Sequence, residues 1–176
     1  SVRYVTVMSE FTRQELIKRF HLPARKVVVI PNTVSPECRF SPKLFNIRKP
    51  VFLQLGTKPN KNINRVVTAL SGIDCHLIIL GKLTEKQRLF LDQSGVEYSN
   101  RYNISYRGVA ETYREVDALI YASTYEGFGM PVLEAQATGR PVICSNVTSL
   151  PDVAGNGAIM VDPFNTNSIR SGILQL

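Results

Sequence analysis

The stretch "ALIYASTYEGFGMPVLEAQATGRPVICS", residues 118–145, alternates between two kinds of pattern. Its two ends, 118–122 and 141–145, are short and almost continuously apolar, as is typical of strands covered on both faces of a sheet. Between them, Pro131 suits the first turn of a helix and Gly139 suits the residue after its last turn. A strand, a helix and a second buried strand form a parallel crossover unit, so this stretch predicts an α/β fold.

The same alternation extends along most of the chain. We predict strands over residues 4–8, 26–31, 51–56, 75–81, 104–108, 118–122, 141–145 and 158–162. We predict helices over residues 10–20, 62–71, 84–94, 111–116 and 131–138, and from 166 onward, with Ser9 as the N-cap of the first. Residues 32–50 contain three prolines and no periodicity, which indicates a connecting loop. The predicted architecture is a parallel sheet with helices on both faces and a ligand site at the carboxyl ends of its strands.

Composition describes an ordinary globular chain. It has 176 residues and a mean hydropathy of −0.03, and no apolar run approaches the roughly 18 residues of a membrane span. The N-terminus lacks the apolar core of a signal peptide and an initiator Met, and the C-terminus stops within a helical pattern. We therefore expect a piece of a longer protein.

Charge is distributed unevenly along the chain. The net charge is +7, but residues 1–65 carry thirteen Lys and Arg against three Asp and Glu, whereas residues 66–176 carry eight against eleven. The first third could face phosphates, lipid headgroups or an acidic protein, and a solvated basic face explains the counts equally well. No recognised nucleic-acid-binding signature accompanies the charge, so we expect no nucleic-acid partner.

The cysteines and histidines do not suggest a metal site or a catalytic triad. Cys38, Cys75 and Cys144 are scattered, and the last two lie in strand-like runs, which favours buried reduced thiols in a reducing compartment. His76 lies in an apolar strand and His21 follows a helix. We expect no bound metal.

A first candidate ligand loop is "LGTKPNKN", residues 55–62. Gly56 would let the backbone approach a ligand, and Lys58 and Lys61 would place two positive charges before a helix, which suits an anion. The loop is neither a dinucleotide fingerprint nor a P-loop, and a solvated lysine pair is an equal alternative.

The second candidate is "YEGFGMPVLEA", residues 125–135. Glu126 and Glu134 lie eight positions apart around glycines that free backbone amides, and Pro131 aims the start of a helix at the same place. Carboxylates can accept hydrogen bonds from sugar hydroxyls but repel a diphosphate, so we assign sugar to the acids and phosphate to amides and lysines. The alternative is that Glu126 is a cap and Glu134 a surface residue. The loop 147–150 could add further amides and hydroxyls.

These motifs resemble a known family. "YEGFGMPVLEA" resembles the E-x7-E motif of retaining glycosyltransferases with the GT-B fold, family 4 or group 1, and the resemblance spans nearly the whole chain. It implies a Rossmann-like parallel sheet, with residues 1–33 ending an N-terminal lobe and connecting it to a nucleotide-sugar donor domain over 34–176. Lys58 stands nearest the place where the family has an Arg, and Asp152 where it commonly has Glu.

The resemblance also implies roles for individual residues. Glu126 would hold hydroxyls of the transferred sugar, Lys61 would neutralise the leaving diphosphate, and Glu134 would hold the ribose diol. Further contacts are implied for Gly56 and Lys58 in the first loop, Gly127, Phe128 and Gly129 in the second, Met130, Pro131 and Val132 at the helix start, Gly108 and Val109 near the base, and Ser9 at the cleft between lobes.

The implied reaction is sugar transfer from a nucleotide diphosphate sugar with retention at the anomeric carbon, without metal or other cofactor. The expected donor is GDP-mannose, and the expected acceptor is a glycan or lipid-linked sugar bound mostly by the protein's own N-terminal lobe. We expect a cytoplasmic protein with peripheral contact to the inner face of the membrane. A non-catalytic nucleotide-sugar-binding module and another GT-B enzyme, such as a glycogen or sucrose synthase-like transferase, are the alternatives.

Overall fold

The computed structural model describes residues 2–176. The strands are β1 (Val5–Val7), β2 (Val27–Val29), β3 (Val51–Leu55), β4 (His76–Leu80), β5 (Glu97–Arg101), β6 (Ala118–Tyr121), β7 (Val142–Ser145) and β8 (Ile159–Val161). The α-helices are α1 (Glu10–Phe20), α2 (Ile63–Leu70), α3 (Glu85–Ser94), α4 (Tyr106–Glu115), α5 (Met130–Thr138), α6 (Leu150–Ala154) and α7 (Thr166–Ile173). Two short 3₁₀ turns cover Ala24–Lys26 and Pro59–Lys61.

The main sheet has six parallel strands in the order β5-β4-β3-β6-β7-β8. The predicted parallel α/β fold is therefore confirmed. The chain runs outward from β3 in one direction and then returns to start again at β6, so β3 and β6 are neighbours whose following loops diverge. A crevice at the carboxyl ends of two such strands is where ligands bind in open α/β sheets.

Both faces of the sheet are packed, which explains the continuous apolar runs. Phe52 and Ile120 point to a cluster under α2, α3 and α7, whereas their neighbours Leu53 and Leu119 point to a cluster under α4, α5 and α6. Successive strand side chains alternate between faces, so a strand covered on both sides is apolar at most positions.

The predicted strand over 104–108 is wrong. The strand in this part of the chain is β5 at Glu97–Arg101, and Tyr106 begins α4, with Ser105 as N-cap accepting a hydrogen bond from the Gly108 amide at 3.2 Å. β5 is an edge strand of five polar or aromatic residues, "EYSNR", so it lacks the apolar run that marks the inner strands. The predicted short helix at 111–116 is the second half of α4.

The first residues form a small unit of their own. β1 and β2 pair in parallel as a two-stranded sheet, and α1 crosses between them with Ser9 as its N-cap, as predicted. The connecting loop is anchored where it enters the main sheet, because the buried Asp117 carboxylate pairs with Lys43 and accepts the amide of Val51 at 2.8 Å. No helix within residues 2–176 combines the length and apolarity that crossing a bilayer requires.

Candidate functional site

Lys61 and Glu126 meet at the carboxyl ends of β3 and β6. Lys61 ends the 3₁₀ turn in the loop after β3 (residues 56–62, the β3 loop), and Glu126 lies in the loop after β6 (residues 122–129, the β6 loop). The Lys61 Nζ lies 2.6 Å from Glu126 Oε1 and donates to the Tyr121 hydroxyl at 2.7 Å. The two charged side chains are only 16% and 14% exposed. The structure thus places a cation and a carboxylate together in the crevice between β3 and β6.

Gly56 makes this placement of Lys61 possible. Its φ of +92° lies in the left-handed region, and an added Cβ would lie 2.9 Å from both Cγ and Cε of Lys61. The stem of Lys61 therefore runs directly over the glycine. The Gln54 side chain also holds the β3 loop in place, since its amide nitrogen donates to the Lys61 carbonyl at 3.0 Å.

Hydrogen bonds from side chains fix the β6 loop. The Asn60 side chain donates to the Tyr125 carbonyl at 2.9 Å, which ties this loop to the β3 loop. The Ser149 hydroxyl reaches the carbonyls of Glu126 at 3.0 Å and Phe128 at 2.8 Å. The 147–150 segment, predicted to offer hydroxyls to a diphosphate, directs the Ser149 hydroxyl at the loop itself.

The two glycines of the β6 loop differ. Gly129 has φ +112°, and a Cβ there would lie 2.5 Å from Leu150 Cδ2, so only glycine fits where the loop turns into α5. At Gly127, an added Cβ would meet only the Thr12 hydroxyl, at 3.6 Å. The available space therefore requires glycine at position 129 but not at position 127.

The start of α5 lies at the same edge of the sheet. Met130 and Pro131 form its first turn and line a cavity of about 420 Å³. The Phe128 side chain is buried before the helix, and the Val132 side chain is buried in the core. Any contact of Val132 with a ligand must therefore come from its backbone.

Glu134 is buried and held by two tyrosines. Tyr106 donates to Oε1 at 2.8 Å and Tyr113 donates to Oε2 at 2.9 Å. Burial and the nearby carboxylate raise the pKa of both phenols, so they stay protonated donors. The alternative of Glu134 as a surface residue is wrong, because only 5% of it is exposed. The Glu126 carboxylate likewise bonds Lys61 and Asn60 side chains and does not act as a helix cap.

Gly108 and Val109 lie in α4, not at the end of a strand. Val109 lines the same cavity of about 420 Å³ as Glu134, whereas Gly108 packs on Ile104. The backbone at the sheet edge there is 102–105, which follows β5. The sequence did not predict this loop, because the polar edge strand β5 has no apolar run to mark where it ends.

Lys58 and Ser9 are placed differently, since Lys58 lines a separate cavity and Ser9 contacts the β6 loop itself. Lys58 lines a different cavity, of about 450 Å³, between the starts of α2 and α3 on the opposite face of the sheet from α5. The buried Ser9 donates to the Gly127 carbonyl at 2.6 Å. Both were predicted to bind substrate.

Four polar residues of the site were not predicted from the sequence. Asn60 and Tyr121 support Glu126 and Lys61, and Tyr106 and Tyr113 hold Glu134. Tyr121 ends the apolar strand β6, and a hydroxyl at a strand end was the one available signal. Asn60, Tyr106 and Tyr113 lie far from their partners in the sequence and meet them only in the folded chain.

Cys38, Cys75 and Cys144 are free and buried, as predicted for the last two. The part of the chain that the structure describes contains no group of three or more His, Cys, Asp or Glu side chains placed to hold a metal ion.

Comparison with known proteins identifies the family. Residues 39–176 match the family Glycosyl transferases group 1, and the chain belongs to this family, as the E-x7-E resemblance predicted. It is 29% identical over 202 residues to O-antigen chain mannosyltransferase B of Escherichia coli, covering 99% of this chain and 51% of that protein. The chain spans about half the length of the curated relatives it matches.

Solved structures show the same fold. WaaG, a glycosyltransferase involved in lipopolysaccharide biosynthesis, superimposes with a TM-score of 0.84 at 17% identity, over 97% of this chain and 52% of WaaG. HepE from Anabaena, solved in complex with UDP and glucose, also gives 0.84, at 15% identity and with the same coverage. The predicted parallel α/β fold of GT-B glycosyltransferases is confirmed.

Proposed function

We propose that this chain is the donor-binding half of a retaining glycosyltransferase that transfers a hexose from a nucleotide diphosphate sugar to a glycan or lipid-linked acceptor. The observation that carries the proposal is the position of Glu126, Lys61 and Glu134. One carboxylate and one cation meet in the crevice between β3 and β6, and a second carboxylate is buried one turn into α5, beside a cavity.

The charged residues of the site match the chemical groups of such a donor: its diphosphate, its sugar and its ribose. Lys61 lies in the crevice beside Glu126 and would neutralise the diphosphate as it leaves, with no metal needed for that charge. Glu126 would accept hydrogen bonds from hydroxyls of the sugar. Glu134 borders the cavity and would accept hydrogen bonds from the ribose diol, with the ribose competing with the Tyr106 hydroxyl for Oε1.

The cavity beside Glu134 suits the nucleoside. It is lined by Tyr102, Tyr106, Val109, Met130 and Pro131 among others, so an apolar and aromatic surface surrounds one carboxylate. A base packing there would bring its ribose to Glu134 and its phosphates toward the β3 and β6 loops. Val109 keeps its proposed place near the base, whereas the residues 102–105 replace Gly108 as the backbone nearest to it.

For the donor we propose GDP-mannose. The similarity to a protein named O-antigen chain mannosyltransferase B supports mannose. The shared fold with a structure containing UDP and glucose supports a nucleotide sugar without favouring its base or sugar. The acceptor would bind mainly to the protein's own N-terminal lobe, and the basic residues of the first third would face an anionic membrane carrying a lipid-linked acceptor.

Calorimetry on the full-length protein without added metal tests the proposal. GDP should bind, and GDP-mannose should bind more tightly than GDP, with UDP and ADP as comparisons. Glu134→Ala should weaken the binding of GDP more than that of 2′,3′-dideoxy-GDP, since the ribose contact is lost only from GDP, whereas the loss of the partner of Tyr106 and Tyr113 affects both nucleotides. The absence of binding to all three nucleotides would contradict the proposal. Binding without transfer of radiolabelled mannose by the full-length protein would favour the non-catalytic module.

A further inference from the structure

Two hydroxyls from α1 converge on one carbonyl of the β6 loop. Ser9 Oγ donates to the Gly127 carbonyl oxygen at 2.6 Å, and Thr12 Oγ1 donates to the same oxygen at 2.9 Å. The partners are 118 and 115 residues apart in the sequence. This contact joins the first, small unit of the chain to the loop that carries Glu126.

The geometry of α1 holds both hydroxyls in place. Ser9 is the N-cap, and its oxygen also accepts the Thr12 amide at 3.1 Å, so the cap fixes the first turn of the helix. Phe11 packs edge-on against Tyr125, with ring centroids 5.7 Å apart. The first turn of α1 therefore packs on the β6 loop through an aromatic contact as well as the two hydroxyls.

The contact determines where one backbone amide points. The Gly127 carbonyl and the Phe128 N–H belong to one planar trans peptide and point in opposite directions. Holding the carbonyl toward α1 aims the Phe128 N–H away from α1. Ser149 holds the carbonyls on either side, of Glu126 and Phe128, so successive peptides of the loop are fixed by hydroxyls of two different elements.

We propose that Ser9 and Thr12 are positioning residues that orient the Gly127–Phe128 peptide so that its amide donates to the transferred sugar of the donor. The proposal rests on the proposed function, and it replaces the direct substrate contact predicted for Ser9. Glycine at 127 has no side chain to restrict its own backbone, so the peptide needs an outside partner. Because α1 lies in the segment predicted to connect the lobes, the same contact would link the position of that segment to donor binding.

Thr12 offers the cleaner variants. Thr12→Val removes the hydroxyl while keeping the shape of the side chain, and Thr12→Ser keeps the hydroxyl and serves as the matched control. Ser9→Ala is less informative, because it would also remove the N-cap of α1.

The experiment measures binding of GDP-mannose and of GDP to the full-length protein by calorimetry. Thr12→Val should weaken GDP-mannose about three- to tenfold, as expected for one lost hydrogen bond, and change GDP by less than about twofold. Thr12→Ser should resemble the wild type for both. Unchanged GDP-mannose affinity in Thr12→Val, an equal loss for GDP, or the same loss in Thr12→Ser would overturn the proposal.

Hydrogen exchange provides a second measurement that does not depend on the choice of donor. Without ligand, peptides covering 124–130 should exchange faster in Thr12→Val than in the wild type or Thr12→Ser, because the loop has lost one of its anchors. Unchanged exchange would show that Thr12 does not hold the loop. Wild-type protein that binds neither GDP nor GDP-mannose would count against the proposed donor, whereas the exchange result would still test the anchor.

Discussion

Lys61 Nζ lies 2.6 Å from Glu126 Oε1, across 65 residues of sequence. Both side chains are largely withdrawn from water, so each charge depends on the other. Removing one partner of such a pair leaves the other charge uncompensated, whereas replacing both with neutral groups does not. In the absence of a donor, the cation proposed for the diphosphate and the carboxylate proposed for the sugar therefore satisfy each other.

The first prediction separates the stability of this pair from its proposed function. Lys61→Met should lower the free energy of unfolding by about 1–3 kcal/mol, because Glu126 is left without its cation. The double variant Lys61→Met with Glu126→Gln should recover most of that loss. Denaturant unfolding of the full-length protein checks both values.

The affinity for GDP should not recover in the double variant as the stability does. Both variants should lose most of their affinity for GDP, since neither keeps the cation. A double variant that regains GDP binding together with stability would show that Lys61 serves the fold and not the diphosphate.

The second prediction concerns the two glycines of the β6 loop. Gly129→Ala should lower the free energy of unfolding by about 2–4 kcal/mol, because it combines a left-handed φ of +112° with a Cβ 2.5 Å from Leu150 Cδ2. Gly127→Ala should cost less than about 1 kcal/mol, since its Cβ meets only an ordinary contact at 3.6 Å. Thermal unfolding of the two single variants gives the comparison, and equal losses would contradict it.

The third prediction concerns the tyrosines that hold Glu134. Tyr106 is 42% exposed and occupies Oε1, one of the oxygens proposed for the ribose. Tyr106→Phe should therefore tighten GDP about three- to tenfold by removing a competing hydrogen bond. The gain should disappear with 2′,3′-dideoxy-GDP, measured by calorimetry.

Tyr113 provides the contrast. It is fully buried, so Tyr113→Phe should leave Oε2 without its partner and lower the free energy of unfolding by about 1–3 kcal/mol. Weaker GDP binding in Tyr106→Phe would mean that the Tyr106 hydroxyl joins the ligand rather than competing with it.

The fourth prediction concerns the cysteines. Burial raises the pKa of Cys75 to about 11 and that of Cys144 to about 12. At pH 8 both thiols of the folded protein should resist alkylation and should react after denaturation, as mapped by mass spectrometry of their peptides.

Unfolded thiols ionise from about pH 9, below the folded values, so the folded state binds more protons and stability should fall as the pH rises above 9. Rapid alkylation of Cys75 or Cys144 in the native protein at pH 8 would contradict the burial of these thiols.

The inner strands and their helices could be predicted from the sequence because their signals are local. β3, β6 and β7 are covered on both faces and are therefore mostly apolar, and α5 is followed by Gly139, whose φ is +81°. β5 could not be found in this way, since an edge strand needs neither an apolar run nor a fixed alternation.

The motifs of the site were also evident in the sequence, but not the partners of their residues. The spacing of Glu126 and Glu134 left open whether each was a cap, a surface residue or a ligand for sugar. The fold shows that Glu126 faces Lys61 and that Glu134 is buried between Tyr106 and Tyr113. It also shows that the Ser9 hydroxyl is directed at the Gly127 carbonyl.

The sequence by itself therefore determined the fold class, the family and the two loops that form the site. Hydrophobic runs, caps and turn glycines report the burial and backbone conformation of their own positions, which are local properties. Only the tertiary structure decided which charges pair, which carboxylate is buried and which hydroxyl orients a loop. Those relationships join residues 21 to 118 positions apart, and chain order does not record which of the many possible partners the packing brings within 3 Å.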